Sequence, residues 1–388
     1  MIPLSAYGKA ESIRQSIVGR VTFEDVAPSV RGDHVRVLPS LAGDADLSGY
    51  AGLLVEAPAF NSTLPLVHSL AVGHLQAGDV VALNPRGHVR TLYRRASPHN
   101  SIFATDRCNS LCLMCSQPPK NVDDQWRVAE HLRLIELIDP ATNELGISGG
   151  EPALLKDGLI EIVAKCKERL PQTALHILTN GRLFSYRRFA EKLGGVGHPD
   201  LMIGVPLYSD VDDRHDHVVQ AVGAFDQTLL GLQNLGAAGV PVEVRVVVHA
   251  LTWERLPQVA EFVYRNLTFA SHVTFMGLEL MGFAVPNLEL LWVDPWDYRE
   301  TLAEATRFLA ARGVPVSVYN HQLCTVPEAI WPYCRKSISD WKNEYLPACD
   351  NCGVRGQCGG FFSSIVNQRY SRHIEAVAAD PAGRSVAC

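Results

Sequence analysis

The sequence predicts an α/β protein: a partial (β/α)6 barrel, with a small β-rich domain before it and a cysteine-rich, cluster-binding extension after it. Three observations carry that prediction. Between about residues 98 and 318, strand-length apolar runs alternate with amphipathic helix-length stretches, the pattern of right-handed βαβ units on a parallel sheet. Residues 1–97 hold only short β-branched runs set between turn residues. In 319–388 the regular pattern fails and cysteines gather.

The elements follow in order. Val18–Phe23, His34–Leu38 and Gly52–Glu56 have the length and β-branched content of strands. Asp79–Tyr93 is a hairpin turning at Asn84-Pro85-Arg86-Gly87. The barrel strands are Ser101–Ala104, Glu144–Ser148, Ala174–Thr179, Leu201–Leu207, Val242–Val248 and His272–Met276. Leu159–Arg169, Tyr186–Leu193, Gln227–Ala237 and Leu256–Asn266 are the amphipathic stretches between them. Six units suit a partial barrel better than a closed eight-stranded one. Val314–Tyr319 is strand-like and leads into the tail.

Bulk properties exclude several function classes. A chain of 388 residues points to two or three domains. A formal charge of −6 and a pI near 6.2 argue against non-specific nucleic-acid binding. No apolar run approaches the ~18 residues of a membrane span. Ten cysteines, with no signal-peptide core in Met1–Gln15, predict a reducing, cytoplasmic setting and metal binding over disulfides.

The chemistry sits in Cys108, Cys112 and Cys115, spaced C-x3-C-x2-C directly after the first barrel strand. Three thiolates on one loop can hold three irons of a [4Fe–4S] cube, and without a fourth cysteine nearby the fourth iron stays open to another ligand. A structural zinc site would want that fourth ligand close by. Function in a parallel barrel gathers at the carboxyl ends of the strands. There the second strand ends in Ser148-Gly149-Gly150-Glu151-Pro152. Paired glycines let backbone approach a ligand, and a carboxylate beside them can accept from an ammonium group. The tail carries Cys349, Cys352 and Cys358 as C-x2-C-x5-C, with Cys324 and Cys334 as candidate fourth ligands. Four thiolates there would serve an iron–sulfur cluster or zinc. His215, His217 and His321 are proton-transfer candidates whose alternative is a structural hydrogen bond. Cys166 reads as a small buried residue and Cys388 as a tail residue.

The cysteine loop resembles the cluster loop of radical S-adenosylmethionine (SAM) enzymes. The resemblance implies that the open iron chelates the amino and carboxylate groups of SAM. It also implies reductive cleavage of SAM to a 5′-deoxyadenosyl radical that takes hydrogen from a substrate. It places Gly149, Gly150 and Glu151 at the cofactor's amino group, Thr179 and Asn180 at the third strand end and Ser209 near the ribose. Met114 stands where the family usually shows an aromatic residue near adenine. The tail is similar to the SPASM and twitch auxiliary-cluster domains, with Phe362-Ser363-Ser364 where a further cysteine is usual. That likeness favours Cys324 as fourth ligand of one auxiliary [4Fe–4S] cluster, zinc being the alternative.

Longer phrases resemble one group. Thr105–Lys120, Leu145–Leu154, His176–Phe184, Gly223–Leu235, His321–Cys324 and Lys336–Asn343 are similar to the smaller of the two radical SAM maturases of the His-Xaa-Ser system. This implies a ribosomally made precursor with His-Xaa-Ser repeats and a partner radical SAM maturase in a heterodimer. An electron donor such as flavodoxin or ferredoxin is implied as well. The alternative is a cluster-bearing scaffold or electron-relay subunit of such a pair.

Overall fold

The computed structural model describes residues 3–41, 46–59, 62–336, 344–362 and 369–378. Its N-terminal part is one sheet of eight strands: β1 (Ser5–Tyr7), β2 (Lys9–Glu11), β3 (Ile17–Thr22), β4 (His34–Leu38), β5 (Gly52–Val55), β6 (Leu66–His68), β7 (Val80–Leu83) and β8 (His88–Tyr93). The order is β1-β8-β7-β3-β4-β5-β6-β2, so the two edges are consecutive in the chain. Gly8 joins them and donates to the Gly87 carbonyl at 2.9 Å. One short segment therefore pairs with both ends of the sheet and rolls it around Val21, Val35, Leu54, Val67, Val81 and Leu83. The hairpin is β7–β8. At its turn the Asn84 side chain accepts from the Arg86 and His88 amides, and Gly87 takes φ +76°. β1, β2 and β6 span three residues each, too short to show a period.

The second sheet is entirely parallel and runs in chain order: β9 (Asn100–Phe103), β10 (Glu144–Ser148), β11 (Ala174–Leu178), β12 (Leu201–Pro206), β13 (Val242–Val248), β14 (His272–Gly277), β15 (Val316–Tyr319) and β16 (Cys334–Arg335). The helices between them are α1 (Arg127–Leu137), α2 (Asp157–Arg169), α3 (Arg187–Val196), α4 (Asp212–Val219), α5 (Ala224–Ala237), α6 (Leu256–Asn266), α7 (Leu288–Leu291) and α8 (Pro295–Ala310). The six expected strands are β9–β14. Parallel pairing continues through β15, behind the long helix α8, and through the two-residue β16. β9 and β16 remain as edges, so the barrel stays open.

Strand alternation explains the two faces. Ile147, Ile177, Ile203, Val244, Phe275 and Val318 point outward into one apolar core with Ile135, Ile162, Leu193, Leu232, Val259 and Leu302 of the helices. The inner face is polar. Glu243 there accepts from Thr274 and lies 3.0 Å from His176 and 2.9 Å from Arg245. Burial alone would raise the Glu243 carboxyl, but the His176 bond, the Arg245 charge and Thr274 bring it down to about 2. The β-rich sheet grips the barrel at α1: Arg20 donates to the Leu137 carbonyl at 2.8 Å, and Arg90 pairs with Glu130 at 2.6 Å. Among the described residues no helix is long and apolar enough to cross a membrane.

Candidate functional site

The cysteine loop lies over the carboxyl ends of the barrel strands and is strapped from three sides. Asp124 closes its base, accepting from Thr105 Oγ1 at 2.8 Å and from the Asp106 amide at 2.7 Å. From β10, the Gly150 amide donates to the Thr105 carbonyl and the Glu151 amide to the Arg107 carbonyl, each at 2.7 Å. Gly149 holds φ +140°, and a Cβ there would sit 2.7 Å from the Thr105 carbonyl oxygen. A Cβ on Gly150 would run into the Arg107 carbonyl. The paired glycines thus admit the backbone of the cysteine loop itself, where the sequence suggested approach of a ligand. On the far side the Leu111 and Leu113 amides donate to Val219 and Val218, Asn287 donates to the Leu113 carbonyl, and the Phe283 amide to the Cys115 carbonyl.

This strapping leaves Cys108, Cys112 and Cys115 half-buried on one loop. Burial, followed by the Glu151 charge, pushes the Cys108 thiol up to about 11. Burial and the charges of Cys108 and Cys115 push Cys112 up to about 12, and burial raises Cys115. Three thiolates could coexist here only against positive charge, which bound iron supplies; the donor set fits a metal cluster. Arg182 donates to the Asn109 carbonyl and to Ser110 Oγ at 3.0 Å, and its charge favours the Cys112 thiolate. Asn180 Nδ2 donates to Asn109 at 2.6 Å and lies 3.9 Å from Cys108 Sγ.

Glu151 is fully enclosed. Its carboxylate accepts from the Ala153 amide at 2.9 Å, Thr179 Oγ1 at 2.5 Å and the Asn180 amide at 2.6 Å. Burial raises its pKa, and those three bonds oppose the rise. Protein donors thus occupy the carboxylate from which the sequence suggested an ammonium contact. The side chain turns inward and ties the end of β10 to the end of β11, because three protein donors there replace water. Met114, at 7% exposure, packs with Tyr208, Val218, Val219 and Leu291, a flexible thioether filling a core gap. Ser209 is buried, and its hydroxyl accepts from the Val211 amide at 3.1 Å in its own turn. Thr179 is committed to Glu151 and to the Gly181 amide. Gly149, Gly150 and Asn180 stay half-buried beside the loop.

In the tail, Cys324, Cys349, Cys352 and Cys358 line one narrow cavity with Tyr345 and Phe361. Tight turns bring the last three to one side: the Cys352 amide donates to the Cys349 carbonyl, and the Cys358 amide to Val354. Gln322 donates to the Gly360 carbonyl at 2.8 Å and so docks the Cys324 segment against them. Burial raises Cys324 to about 11, and the charges of Cys358 and Cys349 add to the shift. Cys334 does not line this cavity; it sits in β16, packed on the main core with Sγ 3.5 Å from the Ile330 carbonyl, and burial followed by the Cys358 charge raises its thiol to about 12. Among the described residues, no three His, Cys, Asp or Glu side chains gather as one metal ion requires. Cys166 is buried in α2, whereas Ser363, Ser364 and Cys388 fall outside the described residues.

His215 accepts from the Tyr208 amide and His321 meets Tyr298 Oη at 2.9 Å, so both have structural partners. Sequence reasoning missed Asp124, Arg182 and Asn287. Asp124 folds back on the start of the loop across 19 positions, whereas Arg182 and Asn287 reach it across 73 and 174, and no local pattern marks such residues.

Comparison with known proteins places this geometry. Residues 102–263, which take in the cysteine loop and the strands β10–β13, match the family described as the Radical SAM superfamily. The chain is 29% identical over 193 residues to a PqqA peptide cyclase of Granulibacter bethesdensis, covering 48% of this chain and 49% of that one. It is 27% identical over 237 residues to a GTP 3′,8-cyclase of Petrotoga mobilis, covering 59% and 69%. This chain therefore spans about half the length of the PqqA peptide cyclase it matches. Among solved structures, Streptococcus suis SuiB bound to S-adenosylmethionine aligns at 14% identity and TM-score 0.47, covering 62% of this chain and 53% of that one.

Proposed function

We propose that this chain is a radical SAM enzyme that modifies His-Xaa-Ser repeats of a ribosomally made precursor, together with a partner radical SAM maturase. The observation that carries the reading is the strapped loop of Cys108, Cys112 and Cys115 at the mouth of a parallel barrel, with Gly149-Gly150 backbone alongside. The family match over the same residues supports it. The three thiolates would hold a [4Fe–4S] cluster, leaving one iron for SAM. When bound, the pair supplies a 5′-deoxyadenosyl radical for hydrogen abstraction. The chain's own part is to hold and orient. Asp124, Arg182 and Asn287 fix the loop, Glu151 locks two strand ends beneath it, and Asn180 presents an amide N–H to the Cys108 sulfur. Cys324, Cys349, Cys352 and Cys358 would hold a second cluster, with zinc as the alternative metal. Flavodoxin or ferredoxin would serve as electron donor.

The test is anaerobic incubation of the reconstituted protein, alone and with its partner, with SAM, reductant and precursor. Release of 5′-deoxyadenosine and precursor mass losses in steps of about 2 Da are expected, since two hydrogens leave per oxidatively closed bond. Precursor modified equally when Cys108, Cys112 and Cys115 are replaced would make this chain a scaffold subunit.

A further inference from the structure

β9 is one of the two edges of the parallel sheet, the other being β16 with only two residues. The Ala104 amide donates to the Ser148 carbonyl, and the register sets Phe103 beside Ser148 and Ser101 beside Gly146. In a parallel ladder that register turns the backbone groups of Ile102 toward β10 and those of Ser101 and Phe103 away from it. Ser101 is exposed and Phe103 half-buried. Burial lowers His131 to about 4, against the Ala104 and Phe103 carbonyls beside it, so the Phe103 carbonyl has a neighbour. The Ser101 amide, the Ser101 carbonyl and the Phe103 amide have no hydrogen-bond partner among the described residues. The strand reads Asn-Ser-Ile-Phe, without the charge or proline that commonly blunts an edge.

This edge lies in a groove of about 440 Å³, lined by Ser101, Ile102 and Phe103. Tyr7 and His88 of the β-rich sheet stand on one side of it, and Arg127 and His131 of α1 on the other. Tyr7 is exposed and stacks on His88 with ring centroids 4.4 Å apart. Arg127 also lines an adjoining hollow beside Trp126, which is exposed as well. Exposed aromatic rings of this kind offer contact area to a chain laid across them at little entropic cost. Walls on both sides admit one extended chain, whereas the edge of a folded sheet would bring neighbouring strands into them. The groove also has a direction. β9 runs on into Thr105 and the cysteine loop, and Arg127 pairs with Asp106 at the base of that loop at 2.7 Å. A chain lying along β9 is therefore led toward the mouth of the barrel.

We propose that an extended segment of the precursor docks in this groove as an added strand, bonding the Ser101 amide and carbonyl and the Phe103 amide. The inference rests on the proposed peptide substrate and deepens it by naming where the precursor is held. β9 anchors the chain away from the reacting atoms, so it sets affinity for the precursor and not the chemistry.

Hydrogen exchange read at single residues of the full-length, cluster-reconstituted protein tests it. On adding full-length precursor with His-Xaa-Ser repeats, the Ser101 and Phe103 amides should slow about tenfold or more, while Ile102, already bonded to β10, changes little. Fluorescence anisotropy of labelled precursor supplies the second arm. S101P deletes one outward donor and leaves the β10 ladder whole, as an edge strand allows. It should weaken precursor binding about tenfold. S101A keeps the amide and should bind as wild type does. Iron content serves as the folding control for both variants. Unchanged affinity in S101P, or no slowing at Ser101 and Phe103 in wild type, overturns the proposal. So does slowing that grows with protein concentration without precursor, which would give the edge to a second copy, or slowing by the partner maturase alone. Slowing by a precursor that is never modified would keep the groove assigned and remove the proposed activity; modification without slowing would do the reverse.

Discussion

The two thiol sites are built in opposite ways. Cys108, Cys112 and Cys115 come from eight consecutive residues, and their loop is pinned by backbone bonds from the end of β10, the end of α4 and the segment before α7. The tail cavity joins Cys324 to Cys349, Cys352 and Cys358 across an intervening stretch, docked chiefly through Gln322 and Gly360. A local spacing makes a site that the barrel then fixes rigidly. A site assembled from distant segments depends on their docking, and metal bound there would itself supply part of the docking energy.

The strongest break in this comparison is removal of ligands. Replacing Cys108, Cys112 and Cys115 by Ala should abolish SAM cleavage and remove about half of about eight irons per chain, the tail retaining its share. Cys349→Ala should do the reverse, costing product more than cleavage. Metal analysis showing about four irons and one zinc would put zinc in the tail. Loss of all iron in either variant would show the two sites to be one cooperative unit.

Acid should separate the regions next. His131, His215, His249 and His321 are at most 3% exposed, and none lines the tail cavity. Burial lowers them to about 4, about 4, about 3 and about 4. The unfolded chain therefore takes up more protons, so stability is full above about pH 6.5 and drains as pH falls toward about 4. The loss between about pH 6.5 and 5.5 should be about 4 kcal/mol in all. Thermal melting at those two pH values checks it, and an unchanged melting temperature refutes the buried-neutral assignment.

Glu151→Gln puts an amide nitrogen against groups that donate to the carboxylate. We expect about 2 kcal/mol of destabilisation together with weaker SAM binding. Weaker SAM binding at unchanged stability would indicate a direct contact between Glu151 and the cofactor. The smallest effect is expected at Cys334→Ala, about 1 kcal/mol of lost packing with full iron content. Cys324→Ala should instead lose the tail metal, and the opposite pattern in iron analysis would exchange the two cysteines.

Much of the molecule was legible along the chain. The six strands β9–β14, the hairpin β7–β8 and the cysteine triplet follow from periodicity, turn chemistry and spacing, all properties of a few neighbouring residues. Packing alone decided the remainder. It turned Glu151 inward into a triple-donor cage between two strand ends, sank Met114 into a small core, and lined the tail cavity with Cys324 but not Cys334. Arg182 and Asn287 reach the cysteine loop across 73 and 174 positions. A residue's type and its neighbours determine which element it joins. Which way its side chain points, and what it meets there, depends on segments brought together only when the sheet and its helices close.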